Sequence, residues 1–192
     1  MARQLLGFLM FFVLSMPAAA AAEQPLRCAW DTCVPASAAV GRIEVPLRSL
    51  VPFRYWGFKV YVAALYVPHA VQDVQAELGA YPLRLVLYYY RSFTAPEFIE
   101  SAEQTLVKNP AVDLQKMRDR LERMNRHYRD VSAGDSYALE YDPESGLTLL
   151  SNGAAQVTIA GADFARAYLG IWLSPYSISS SLTESLLGNN KG

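Results

Sequence analysis

The chain has 192 residues, of which 52% are hydrophobic and only 18% charged, and its formal net charge is −1. That balance excludes a disordered segment, which needs low hydrophobicity and high charge, and argues against a nucleic-acid binder, which carries a basic excess. Two cysteines are too few for a disulfide-built scaffold or a four-cysteine zinc site, and the length suits one domain with a short appendage.

The first residues have a three-part layout. Arg3 gives a short positive start, Leu5 to Met16 is apolar apart from Gly7 and Ser15, and Pro17 with Ala18–Ala22 supplies small residues. This is the pattern of a secretory signal peptide over residues 1–22, with an apolar run shorter than the about 20 residues a membrane span needs. A periplasmic or secreted protein, cleaved near Ala20–Ala22, is expected. Cys28 and Cys33 follow directly. In an oxidising compartment such a pair can close a small disulfide loop, whereas two thiols with no histidine nearby leave a zinc site half filled. Residues 23–39 therefore read as an N-terminal segment holding a Cys28–Cys33 disulfide, and residues 40–188 as the domain.

Val40–Val45 alternates and reads as a strand. Leu47–Tyr66 is rich in aromatic and β-branched residues in its later half, so a strand with an apolar continuation is expected. Within it Tyr61, Ala63 and Leu65 share one face, and Val62, Ala64 and Tyr66 the other. Leu83–Tyr90 is a third strand. Thr94-Ala95-Pro96-Glu97 has the form of a capping box opening a helix to about Lys108, where Asn109-Pro110 breaks it. A second helix runs from about Asp113, with Leu114, Met117, Leu121, Met124 and Tyr128 on one face. Tyr137–Tyr141, Leu147–Leu150 and Gln156–Ile159 form a meander, joined by the turn residues Asp142–Gly146 and by the hairpin signal Asn152-Gly153. Asp163–Leu173 and Ser179–Leu187 close the chain as helices, Gly188 marking the end. The order describes an α+β fold.

The sequence lacks a Gly-x-Ser-x-Gly elbow, a phosphate-cradling glycine loop and a His-Glu-x-x-His pair. His69 and His127 lie far apart without ligand-like neighbours, so neither a metal nor a cofactor is expected. The distinctive stretch is Arg54–Tyr66. A guanidinium beside tyrosine hydroxyls in an apolar pocket makes a site for a carboxylate or a phenolate. The alternative is an Arg54 exposed at a strand edge, with the tyrosines in the core.

Arg54 followed by Lys59-Val60-Tyr61-Val62-Ala63-Ala64-Leu65-Tyr66-Val67-Pro68 resembles the signature strand of chalcone isomerase-like proteins. Ala162–Leu173, closing with Leu186-Leu187-Gly188, resembles that family's other signature. The resemblance covers roughly 41–188 and is closest to a bacterial exported branch. It implies an open-faced β-sandwich, an antiparallel sheet covered by helices on one side, with a ligand cleft between them. In chalcone isomerases an arginine, a threonine and a tyrosine serve the cyclisation of a chalcone to a flavanone. Arg54 looks like that arginine, but the threonine position falls on Tyr61, whose ring fills space a substrate ring would use. Tyr88, Tyr89 and Tyr90 are candidates for the tyrosine by region. A related branch binds fatty acids, an arginine and a tyrosine holding the carboxylate, and Arg54 with Tyr61 fits that arrangement better.

The leading expectation is therefore non-catalytic binding of a small apolar carboxylate, such as a fatty acid, with Arg54, Tyr61, Tyr66 and Tyr89 as the ligand-binding residues. The alternatives are an intramolecular lyase or isomerase acting on a chalcone-like phenolic ligand, and a scaffold whose cleft is plugged by Tyr61 and Trp56. The basic run over 113–129 (Lys116, Arg118, Arg120, Arg123, Arg126 and Arg129) reads as a solvated helix face or, more sharply, as a peripheral contact with an anionic membrane.

Overall fold

The computed structural model describes residues 24–188. The segment expected to direct export, 1–22, lies outside the described residues. Two short strands come first, β1 (Leu26–Ala29) and β2 (Thr32–Pro35), paired as a hairpin with Cys28 directly opposite Cys33 and bonded to it. The main sheet then runs as a continuous antiparallel meander: β3 (Ser37–Val40), β4 (Ile43–Tyr55), β5 (Phe58–Tyr66), β6 (Leu83–Tyr89), β7 (Ser136–Asp142), β8 (Gly146–Ser151) and β9 (Ala154–Ile159). Four helices accompany it: α1 (Ala95–Val107), α2 (Leu114–Asn125), α3 (Ala162–Leu173) and α4 (Ser180–Leu187). This is the α+β, open-faced sandwich that the sequence predicts.

The helices cover one face. There Leu65, Leu85, Leu139 and Leu149 from alternate strand positions meet Phe164, Tyr168 and Leu169 of α3 in the large core cluster. The other face is covered by the chain's own N-terminal part. β3 reaches across to β6 and β7, and Val34, Val40 and Val45 close a second cluster over Ala64, Tyr66 and Val86. The sheet is thus curled upon itself. This is why β5 reads as an unbroken apolar run from Val60 to Tyr66: both of its faces are buried.

Local chemistry sets the ends of the elements. The Glu97 carboxylate accepts from the Thr94 backbone N–H at 2.7 Å and from its hydroxyl at 2.9 Å, closing the start of α1. The Asp113 carboxylate accepts from Lys116 N–H at 3.2 Å at the start of α2. Asn152 and Gly153, with φ of 48° and 80°, make the predicted hairpin turn between β8 and β9.

Three sequence expectations need correction. Val40–Val45 is not one strand, because Gly41 takes a left-handed φ of 57° and folds β3 back on β4. Leu47–Tyr66 is two strands, turned at Trp56 and Gly57, whose φ values of 51° and 82° repeat the Asn152-Gly153 geometry with tryptophan in the asparagine position. The basic helix ends at Asn125. Arg126 is its cap residue, its N–H bonded to Glu122 O, and beyond it the chain turns so that Tyr128 enters the core.

Candidate functional site

A cleft of about 1010 Å3 opens between the helix-covered face of the sheet and the helices. Its floor is aliphatic, formed by Leu85, Leu87, Leu139 and Leu149 from the strands and Ile171 from α3. Phe98 and Ala102 of α1 form one wall, and Trp172 with Ser177–Ser181 ahead of α4 forms another. The mouth lies at the β4–β5 turn, where Tyr55 pairs with Phe58 across the hairpin. Between mouth and floor, Tyr61 and Tyr89 sit opposite each other on β5 and β6. An enclosed apolar volume with a few convergent polar groups is the usual form of a small-molecule site.

The cleft's polar lining joins tyrosine hydroxyls to the charged Arg54, Arg91 and Glu97 and to serines of α1 and of the segment ahead of α4. Tyr61, Tyr89, Tyr128 and Tyr137 all line the cleft, and edge contacts lock their rings: Tyr89 meets Tyr61 at 5.9 Å, Phe98 at 5.5 Å and Tyr137 at 6.4 Å between centroids. Burial pushes the ionisation of Tyr61, Tyr89 and Tyr128 well above the ordinary phenol range. All three therefore stay neutral, able to donate a hydrogen bond and unsuited to act as phenolate bases. Two of these hydroxyls are already paired. Tyr128 and Tyr168 share a hydrogen bond of 2.7 Å, and Tyr137 donates to Arg129 O at 2.9 Å and accepts from its N–H at 2.8 Å. Tyr89 differs. It is only 5% exposed, yet its hydroxyl makes no hydrogen bond to any described residue. The hydroxyl faces the cleft, so a ligand oxygen placed there can accept its hydrogen bond.

The expected anchor, Arg54, touches the rim of the cleft but turns its charge elsewhere. Phe53 pairs with Tyr61 while Arg54 pairs with Lys59, so Val60 is an extra residue on β5. That bulge reverses which face Lys59 and Arg54 occupy relative to Tyr61. The Arg54 guanidinium lies 5.1 Å from the Trp30 ring, over the β1–β2 hairpin, and donates to Gly57 O at 2.9 Å. Lys59 shares the Trp30 ring at 4.9 Å and pairs with Asp31 at 3.7 Å. Tyr66 also falls outside the cleft. It belongs to the opposite core cluster, and its hydroxyl donates to Pro35 O at 3.2 Å.

The cation that does face the cleft is Arg91, two residues after Tyr89 and on the same side. Its guanidinium lies 5.9 Å from the Phe58 ring and 5.7 Å from the Phe93 ring. No strand pattern points to it, because β6 ends at Tyr89 and Arg91 lies beyond its alternation. Tyr128, Tyr137 and Trp172 have no shared sequence signal, since only the folded chain brings them to one cavity. Trp56 does not plug the cleft: it stands 83% exposed at the turn. Among the described residues no group of three His, Cys, Asp or Glu side chains is placed to hold a metal ion.

A family model described as chalcone isomerase-like matches residues 45–188, which contain the whole cleft. The crystal structure of a fatty-acid-binding protein from Arabidopsis thaliana aligns with a TM-score of 0.60 at 16% sequence identity, covering 82% of this chain and 92% of that one. At that identity the likeness is one of fold. No functionally curated protein matches the chain.

Proposed function

Since the chain belongs to the chalcone isomerase-like family, and its cleft joins an aliphatic floor to neutral tyrosine donors, we propose that it binds a small apolar acid, a fatty acid being the best fit, without transforming it. The apolar chain lies along Leu85, Leu87, Leu139 and Leu149. The carboxylate accepts from Tyr89 and Tyr61, and Arg91 supplies the opposite charge at the mouth. This replaces Arg54 as the expected anchor, because the Arg54 guanidinium is engaged on the other face. The observation that carries the reading is the Tyr89 hydroxyl, which lines the cleft and makes no hydrogen bond to any described residue. Binding of a fatty acid by the Arabidopsis thaliana protein of the same fold is consistent with this reading.

Catalysis of a chalcone-like cyclisation is less well supported. It would draw on an arginine directed at a phenolate, and Arg54 is directed at Trp30. The tyrosines held neutral by burial offer no base near pH 7. We place the protein outside the cytoplasm, in the periplasm or secreted, on the strength of the 1–22 pattern.

The test is titration with a fluorescent long-chain fatty acid. A lost charge-assisted hydrogen bond costs about 1.5–3 kcal/mol, so Tyr89→Phe, which keeps the ring contacts, should weaken binding roughly tenfold or more. Arg91→Ala should do the same, and Arg54→Ala should change affinity less than about twofold. Unchanged affinity in both Tyr89→Phe and Arg91→Ala overturns the site. Turnover of a chalcone above the spontaneous rate overturns the non-catalytic reading.

A further inference from the structure

The β4–β5 turn is an unusual end for a hairpin. Trp56 holds a left-handed φ of 51° at a position that favours asparagine or glycine, and it is 83% exposed. Its neighbours Tyr55 and Phe58 are 61% and 66% exposed. Tyr55, Trp56 and Ile178, itself 44% exposed, line one cleft mouth. The chain thus bears a backbone cost and an apolar-exposure cost at the same four residues, directly at the entrance to its cavity.

We propose that this tip docks the mouth of the cleft onto a bilayer surface containing anionic lipid. Two features select a membrane over a protein partner. The first is chemistry. Tryptophan and tyrosine prefer the headgroup level, where a ring meets both apolar and wet surroundings, and basic residues beside them attract anionic headgroups. Arg91 stands against Phe58 at the mouth with no carboxylate within ion-pair distance among the described residues, and Arg54 and Lys59 lie behind the turn. Of the nearby acids, Asp31 pairs with Lys59, and Glu97, which caps α1 at Thr94, also feels the Arg91 charge. The second is area. Three aromatics exposed to this degree offer on the order of 300–500 Å2, below the roughly 800 Å2 per partner of a stable protein interface. They project from a narrow turn, a shape suited to insertion among headgroups. The contact is peripheral, since no described helix is long and apolar enough to cross a membrane.

The basic helix fits this role less well. The apolar side chains of α2 (Met117, Leu121 and Met124) face the core, and none of the large exposed apolar residues lies on it. The proposed ligand reading gives the docking its purpose, because an apolar acid leaves and enters through the membrane. Docking rests on the exposed aromatic tip and its basic neighbours and needs no ligand.

The experiment uses the mature chain with vesicles of phosphatidylcholine and phosphatidylglycerol, their acyl chains brominated, beside vesicles of phosphatidylcholine alone. Trp56→Asn is the central variant, because asparagine suits the turn and keeps the fold. Wild type should sediment with the mixed vesicles and lose tryptophan emission to bromine. Trp56→Asn should bind roughly tenfold more weakly and lose most of the quenching, and phosphatidylcholine alone should bind wild type more weakly. The proposal is overturned by absence of binding to the mixed vesicles, by equal binding of Trp56→Asn, or by equal binding to both vesicle types. It is also overturned if Arg123→Gln with Arg126→Gln abolishes binding while Trp56→Asn does not, or if Trp56 supports only self-association. Because the vesicles hold no free acid, failure here leaves fatty-acid titration unaffected, and the reverse holds too.

Discussion

Tyr89 and Arg54 show how far one residue of register decides function. Tyr89 is legible in the sequence: in Leu83–Tyr90 it falls on the face of Leu83, Leu85 and Leu87, and those residues do line the helix-covered side. Arg91 lies past the end of β6 at Tyr89, so strand alternation does not place the cleft's cation. Arg54 was not legible either. Without the bulge at Val60, the pairing of Arg54 with Lys59 would put it on the face of Tyr61; with the bulge it joins Trp30 on the other side. No residue type announces that bulge. The consequence can be measured in stability as well as binding. Removing the guanidinium should loosen the packing over Trp30, so Arg54→Ala should cost about 0.5–1 kcal/mol of stability for one cation–π contact and lower the melting temperature slightly, while fatty-acid affinity holds. Thermal unfolding of Arg54→Ala beside Arg91→Ala checks this; a stability loss confined to Arg91→Ala contradicts it.

Elements were readable where their turns use ordinary chemistry. Asn152-Gly153, the capping box at Thr94 and the Gly188 stop all mark real boundaries. Trp56-Gly57 adopts the same turn as Asn152-Gly153 but carries no such signal, so β4 and β5 read as one stretch. The attachment of α2 to α3 gives a pH-dependent prediction. Arg120 forks onto the Asp163 carboxylate at 2.8 and 2.7 Å, which lowers the carboxyl to about 2. A depressed carboxyl contributes stability above its ordinary value near 4, and that contribution is lost as pH falls through about 2. Melting temperatures of wild type and Asp163→Asn should therefore differ at pH 6 and converge toward pH 2. A constant gap across that range would contradict the assignment. At the other end of the chain, the Cys28–Cys33 link holds the hairpin whose Trp30 packs beneath Arg54 and Lys59. A loop this short is worth about 2 kcal/mol, so Cys28→Ser with Cys33→Ser should lower stability by about that much without abolishing folding. Denaturant unfolding of the double variant reads it directly.

At the scale of the whole molecule, the curled sheet explains both the legibility and its limits. β5 is buried on both faces, so its composition announces a central strand but not which side holds a ligand. Tyr61 and Tyr66 are equally buried, yet one borders the cavity and the other backs onto β3 and the first hairpin. The cavity itself is a product of long-range assembly. Tyr128, Tyr137 and Trp172 come from three separate segments, and no local pattern places them together. Filling it should stabilise the fold by mass action: at a free ligand concentration one hundred times Kd, the gain is about 2.7 kcal/mol. The central claim, that this cleft holds a small apolar acid on Tyr89, is tested most directly by native mass spectrometry of protein purified without denaturation, wild type beside Tyr89→Phe. A bound mass is expected in the wild type that leaves on denaturation, ionises as a fatty acid and is depleted in Tyr89→Phe. A wild-type protein that remains empty after incubation with long-chain fatty acid, or a variant that retains the ligand equally, would contradict it.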